Sequence, residues 1–156
     1  MTETLIIRDV GRGDFAQWKP LWDGYTIFYQ RAPSEEVTRT LWARIFDASE
    51  PVHALVAERP GSPGSGGRLA GLAHYLFHRS TSMVALNCYL QDLFTAESER
   101  GQGVGRALIE AVCARAKAAG STRVHWQTYE TNRAAQALYD KVAERSGFIV
   151  YRKDLV

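Results

Sequence analysis

The chain has 156 residues, 46% hydrophobic and 23% charged, with a formal net charge of +2. That length suits one domain of the usual ~100–200 residues, large enough to hold a core without disulfide or metal. Apolar content this high at so small a net charge argues against disorder, and apolar runs of no more than about five residues argue against a membrane-spanning helix, which needs ~20.

In chain order, Leu5-Ile6-Ile7 reads as a first strand. Residues 13–30 fit a helix, because Trp18, Trp22, Tyr25 and Tyr29 fall on one stripe at helical period. A second helix starts after Ser34, a suitable N-cap with Glu35 and Glu36 behind it, and is expected to end near Ala48. Val52–Arg59 reads as a strand, and the Gly/Ser/Pro segment 60–67 as a loop between two strands. Leu69–His78 and Met83–Thr95 follow as strands around a polar turn at 79–82. Residues 103–119 return to helical period, with Gly120 as C-cap. Thr122–Tyr129 reads as a strand, Asn132 caps a helix from Arg133 toward Val142, and Phe148–Lys153 is a final strand. The expectation is a single α/β (α+β) domain over 1–156, a mixed sheet with helices on both faces.

The side-chain inventory narrows the chemistry. Cys88 and Cys113 have no Cys-x-x-Cys partner and His53, His74, His78 and His125 are scattered, so no metal is expected. Glu3, Arg8 and Asp9 interrupt the apolar stretch that a signal peptide requires, which makes a cytoplasmic location the expectation. Charge is unevenly placed. Residues 1–99 carry nine basic and twelve acidic side chains, whereas residues 100–156 carry ten basic and five acidic. The C-terminal third is built to meet an anion.

The segment Arg100-Gly101-Gln102-Gly103-Val104-Gly105-Arg106 says where. A strand leads into alternating glycines and a helix begins inside them. Unsatisfied N–H groups at a helix start attract a phosphate, and glycines let the backbone approach it. The segment therefore predicts a pyrophosphate site. Gly105 is not followed by Lys-Ser/Thr, which excludes a phosphate-loop NTPase, and G-x-G-x-G is not the dinucleotide G-x-G-x-x-G. The basic residues are not interleaved with aromatics, so nucleic acid is not expected.

Arg100-x-x-Gly103-x-Gly105 after Leu90-Gln91-Asp92-Leu93-Phe94 resembles the acetyl-CoA signature of the GNAT superfamily of N-acetyltransferases, and Asn132-x-x-Ala135-x-x-x-Tyr139 resembles that family's later motif. The resemblance implies a six- to seven-stranded mixed sheet with about four helices, and acetyl-CoA held in an opening between the fourth and fifth strands. Leu93, Phe94 and Thr95 would offer backbone groups to the pantetheine arm. The N–H groups of Arg100, Gly101, Gln102, Gly103, Val104, Gly105 and Arg106 would hold the pyrophosphate, with Asn132 and Ala135 on the far side. Where the family usually has Gly-Phe four residues after the tyrosine, this chain has Ala143-Glu144, so either a longer last helix or a distorted strand after it is expected.

Transfer of an acetyl group to an amine needs a neutral amine, donors for the developing oxyanion and a proton for the departing thiolate. The resemblance assigns Tyr139 as the acid and backbone N–H groups near Phe94 as oxyanion donors. Asp92 is the leading base or substrate-touching carboxylate, ahead of Glu97, Glu130 and His74; Glu97 and Glu99 read more readily as loop charges. Trp18 and Trp22 are expected in the core. Tyr25, Phe28, Tyr29, Asp92 and Glu130 are expected toward the substrate, where aromatic walls and carboxylates suit a cationic amine. The resemblance favours a small-molecule amine acceptor (polyamine, amino acid or related amine), with a protein or peptide amine or a non-catalytic CoA-binding module as alternatives. It leaves a homodimer open.

Overall fold

The computed structural model describes residues 4–156. They divide into two compact units, one reaching Trp126 and the other spanning Gln127–Val156.

The first unit is built on one sheet: β1 (Ile6–Asp9), β2 (Val52–Arg59), β3 (Arg68–His78), β4 (Asn87–Thr95) and β5 (Arg123–His125), in that spatial order. The first four are antiparallel and β5 lies parallel to β4. Buried residues run almost without break along the middle of β2 and β3, as they must where both sheet faces are covered. Alternate side chains then serve different layers. Ala54, Val56 and Leu72 join Trp18, Leu21, Trp22 and Tyr25 of α1 (Phe15–Phe28) in one cluster, against which Leu41, Trp42 and Ile45 of α2 (Glu35–Ile45) pack. α3 (Val104–Ala118) packs against β2, β3 and β4 and buries Val104, Leu108, Ile109, Val112 and Ala116.

The helix boundaries follow local chemistry. Ser34 accepts a hydrogen bond from the Val37 N–H at 3.3 Å, as its N-cap role requires. α2 stops at Ile45 and not near Ala48, because Asp47 Oδ1 accepts from the Ser49 N–H at 2.9 Å and turns the chain locally. α3 ends in a Schellman arrangement. The Ser121 N–H reaches the Ala116 carbonyl (2.9 Å), the Gly120 N–H reaches Lys117 (3.0 Å), and Gly120 takes φ +83°.

One glycine sets how closely α3 approaches the sheet. A Cβ on Gly71 would lie 2.7 Å from the Phe94 carbonyl oxygen and 3.1 Å from a Val104 methyl. The start of α3, immediately after the glycine loop, rests on that bare stretch of β3.

In the second unit α4 (Arg133–Val142) is capped by Asn132, whose side chain accepts from the Ala135 N–H at 3.3 Å. Its bounds match the sequence expectation. The expected strand Phe148–Lys153 does not form among the described residues, and Phe148, Ile149, Val150 and Tyr151 are exposed. Among the described residues the sheet therefore has five strands, not six or seven. β-branched and aromatic residues make a strand only where a ladder partner takes their backbone groups. The expected strand Thr122–Tyr129 shrinks to Arg123–His125 for the same reason, and Met83–Leu86 belongs to the connection before β4.

Gly71→Ala is expected to destabilise the protein by about 1–3 kcal/mol, the usual range for forcing atoms into a packed site. Urea unfolding checks this, with the exposed-loop variant Gly66→Ala (open space around its Cβ position) expected to be near neutral.

Candidate active site

β4 contains the feature that organises the site. Against β3, His74 faces Asp92 but Tyr75 faces Leu90, so Gln91 is an extra, unpaired residue. A bulge of this kind reverses the alternation of the strand beyond it. Leu90 shares the Tyr75 side of the sheet, while Asp92, two residues on, shares the His74 side under α1. A second event occurs at the same place. β5 pairs only with Asn87, Cys88 and Tyr89, so from Leu90 through Thr95 the β5-side edge of β4 has no strand partner among the described residues. Leu93, Phe94 and Thr95 lie on this free edge, and a ring on Phe94 packs within 2.8 Å of where a Gly24 Cβ would stand.

Asp92 is 8% exposed and belongs to a buried polar chain. Its Oδ2 lies 3.0 Å from His74 Nδ1, and the Trp18 indole N–H donates to His74 Nε2 at 3.1 Å. Tyr25 completes the group from α1. Burial first, and the adjacent Asp92 carboxylate second, push its phenol well above the ordinary tyrosine range, so Tyr25 remains a donor. Trp18, Trp22 and Tyr25 form a stack with ring centroids 6.1 and 5.5 Å apart. Trp18 and Trp22 are core residues, as expected. Tyr25 is buried too, reaching Asp92 from inside the core; Tyr29 is half-buried and Phe28 exposed.

The loop after β4 rests on a second polar network, in which Glu99 and Arg59 are buried and Arg68 is exposed. Glu99 bonds both Arg59 (3.1 Å) and Arg68, which face each other across β2 and β3. Two like charges directly opposite on a sheet repel, and Glu99 sits between them. Its own burial opposes ionisation, yet the hydrogen bonds from Arg59 and Arg68 outweigh that and hold its carboxyl below the usual range. Gln102 joins in, accepting from Arg59 at 3.3 Å and donating to the Ser98 carbonyl at 3.2 Å. Glu99 is thus a structural anchor and not an ordinary loop charge.

Above this anchor, Gly101 and Gly103 adopt φ +75° and +83°, which side chains rarely tolerate. Gly103 is the N-cap of α3, and no side chain caps that helix. The first N–H groups of α3, among them Val104, Gly105 and Arg106, therefore keep no intrahelical partner. Nothing lies within 4 Å of a Cβ position on Gly101 or Gly103. Arg106 pairs with Glu110 at 2.9 Å, and Arg100 lies over the Phe94 ring with its centroid 5.7 Å away.

In the second unit Asn132, Ala135 and Tyr139 are half-buried along α4, and Glu130 is exposed in the turn before it. Gln136 donates to the Glu130 carbonyl at 2.8 Å, which ties that turn to the helix.

Residues 18–143 match the acetyltransferase (GNAT) family. The chain belongs to the GNAT acetyltransferase family. It is similar to the D-amino-acid N-acetyltransferase HPA3 of Saccharomyces cerevisiae, 32% identical over 99% of this chain and 93% of that protein. It is also similar to the thialysine N-epsilon-acetyltransferase of Bos taurus, 33% identical over 86% of this chain and 81% of that protein. Among solved structures, AAC(6')-Iy in complex with the bisubstrate analogue CoA-S-monomethyl-acetylneamine shares the fold with a TM-score of 0.80 at 16% identity, covering 98% of this chain and 99% of that one. The chain is accordingly an acetyl-transferring enzyme.

For a GNAT enzyme the loop geometry is suitable. An uncapped helix start, two left-handed glycines and open space before them fit a pyrophosphate. The buried supports behind the loop and behind Asp92 were not found from sequence. Arg59, Arg68 and Glu99 are spread over three elements, and no spacing rule links them. His74 stood in a strand where one polar residue among apolar neighbours was the only signal.

Glu99→Gln is expected to lower stability at pH 7. A carboxyl held below its unfolded value of about 4.3 stabilises the fold above that pH. The difference from wild type should shrink as the pH falls through the lower folded value. Urea titrations between pH 3 and 7 check this; a gap independent of pH would exclude an ionised Glu99.

Proposed function

We propose that this GNAT enzyme moves the acetyl group of acetyl-CoA to a primary amine of a small molecule by direct attack in a ternary complex. The bulge at Gln91 carries the reading, because it turns a buried carboxylate, Asp92, to the side where the free edge of β4 begins. A negative group walled by Tyr25 and Tyr29 suits a cationic amine. The names of the relatives, acting on D-amino acids and thialysine, support an amine of that size. The family match runs through Trp126, which supports one functional domain over 1–156.

In this reading the backbone N–H groups from Arg100 to Arg106 hold the CoA pyrophosphate, Arg100 and Arg106 add charge, and Leu93, Phe94 and Thr95 offer main-chain groups to the pantetheine arm. The family's later motif assigns Asn132 and Ala135 to the same cofactor. Bound acetyl-CoA supplies the activated acetyl group. Asp92 holds the incoming amine and takes up its proton, with Tyr25 and Phe28 of α1 and Tyr29 at its C-cap on the acceptor side. An N–H near Phe94 stabilises the charge that builds on the carbonyl oxygen. The Tyr139 hydroxyl gives a proton to the departing thiolate. No metal takes part, and no nucleic acid or membrane is a partner. The enzyme works in the cytoplasm, and a homodimer is compatible with this chemistry.

Thiol release from acetyl-CoA, followed across D- and L-amino acids, thialysine, polyamines and a lysine peptide, tests the reading. Turnover is expected on a small amine, and turnover on the peptide alone would replace it with a protein acetyltransferase. Tyr139→Phe should lower kcat by about 10²–10⁴-fold, the usual contribution of a positioned acid, with the CoA affinity nearly unchanged. Gly103→Val should do the opposite, abolishing CoA binding measured by calorimetry, since a β-branched residue is strained at φ +83°. Unchanged kcat in the first or retained affinity in the second removes that residue from its role.

A further inference from the structure

Three residues from three elements meet where Asp92 is held: Trp18 from α1, His74 from β3 and Asp92 from β4. Trp18 is fully buried and His74 is 2% exposed. The tautomer of this histidine follows from its partners. An indole N–H can only donate, so His74 Nε2, 3.1 Å from Trp18 Nε1, must be the acceptor and carries no proton. The single ring proton of a neutral imidazole is then on Nδ1, from which it donates to Asp92 Oδ2 at 3.0 Å. Trp22 closes the ring in, edge-on, with centroids 5.4 Å apart.

We propose that His74 is a positioning residue for Asp92, kept neutral by Trp18 so that it orients the carboxylate without cancelling its charge. The inference rests on the reading of Asp92 as the amine-facing carboxylate. An arginine or a protonated histidine at position 74 would also fix the carboxylate, but it would leave the pair with no net charge to offer an ammonium group. A proton on Nε2 would meet the Trp18 N–H head-on, and that conflict disfavours the imidazolium. The same geometry removes His74 from proton abstraction, because its one lone pair is occupied inside the core. Beside Asp92 the Tyr25 hydroxyl donates to the Gln91 carbonyl at 3.4 Å, which brings a further uncharged group to the bulge.

The test joins a spectroscopic readout to kinetics. In protein carrying ¹⁵N-labelled histidine, with His74 assigned through His74→Asn, the His74 ring at pH 7 should show protonated Nδ1 and bare Nε2. Trp18→Phe should release that preference. A protonated Nε2 in the wild type overturns the proposal. His74→Leu should raise KM for the amine at least about tenfold, as expected for losing a hydrogen bond to a charged group, with the acetyl-CoA affinity unchanged. His74→Asn, whose amide can donate from near the Nδ1 position, should restore KM to within about threefold. In an Asp92→Asn background, His74→Leu should add nothing. Equal defects in the Leu and Asn variants, or additive effects with Asp92→Asn, overturn the positioning role. Should His74→Leu fail to fold, the ring spectrum and His74→Asn still decide. If Asp92→Asn alone leaves KM unchanged, the amine-facing reading of Asp92 fails, and the ring spectrum separately judges the tautomer.

Discussion

The alternation of a β-strand is the constraint on which this site depends. Each residue of a strand faces opposite to its neighbour, so the side of the sheet on which a residue emerges is settled by counting. One uncounted residue, Gln91, shifts the count. Were Gln91 an ordinary paired residue, Asp92 would share the α3 side with Leu90; because Gln91 is bulged out of the count, the carboxylate enters the aromatic layer beneath α1, in line with His74. The strand edge facing β5 comes free at the same level, because β5 stops pairing at Tyr89. A carboxylate and a strand edge released from its neighbouring strand are thus delivered together at one level of β4.

Both ends of that strand segment are braced by polar networks. Under Asp92 lie His74 and Trp18; under the glycine loop lie Glu99, Arg59 and Arg68. Buried polar groups are costly unless paired, and a fully paired network has few alternative arrangements. The two networks differ in electrostatic character. The loop anchor sets one carboxylate, Glu99, between two arginines and so carries a net positive charge, whereas the Asp92 network is built, on the proposal above, from uncharged donors. That difference suits the ligands proposed for the two places, an anionic pyrophosphate and a cationic amine.

The enzyme class was legible in the chain because its signals are local. Gly101 and Gly103 stand where the backbone is left-handed, Ser34 and Asn132 cap the helices they precede, and Trp18 and Trp22 mark the buried stripe of α1. Each rests on a few adjacent residues whose conformational preferences agree with the final fold. The strands were less legible. Val52–Arg59 is found as expected, but Phe148–Lys153, with stronger β-forming composition than Arg123–His125, forms no strand.

What the sequence by itself determined is therefore the helices with their caps, the left-handed glycines before α3 and, through two motifs in order, membership of an acetyltransferase family. Only the tertiary structure decided which side of the sheet Asp92 occupies, that Glu99 anchors a loop instead of decorating it, and that His74 donates from Nδ1. The reason is physical. Caps and glycine conformations depend on bonds between near neighbours in the chain, whereas a bulge, a tautomer and a buried ion pair depend on partners 18 to 56 residues away, which no local pattern records.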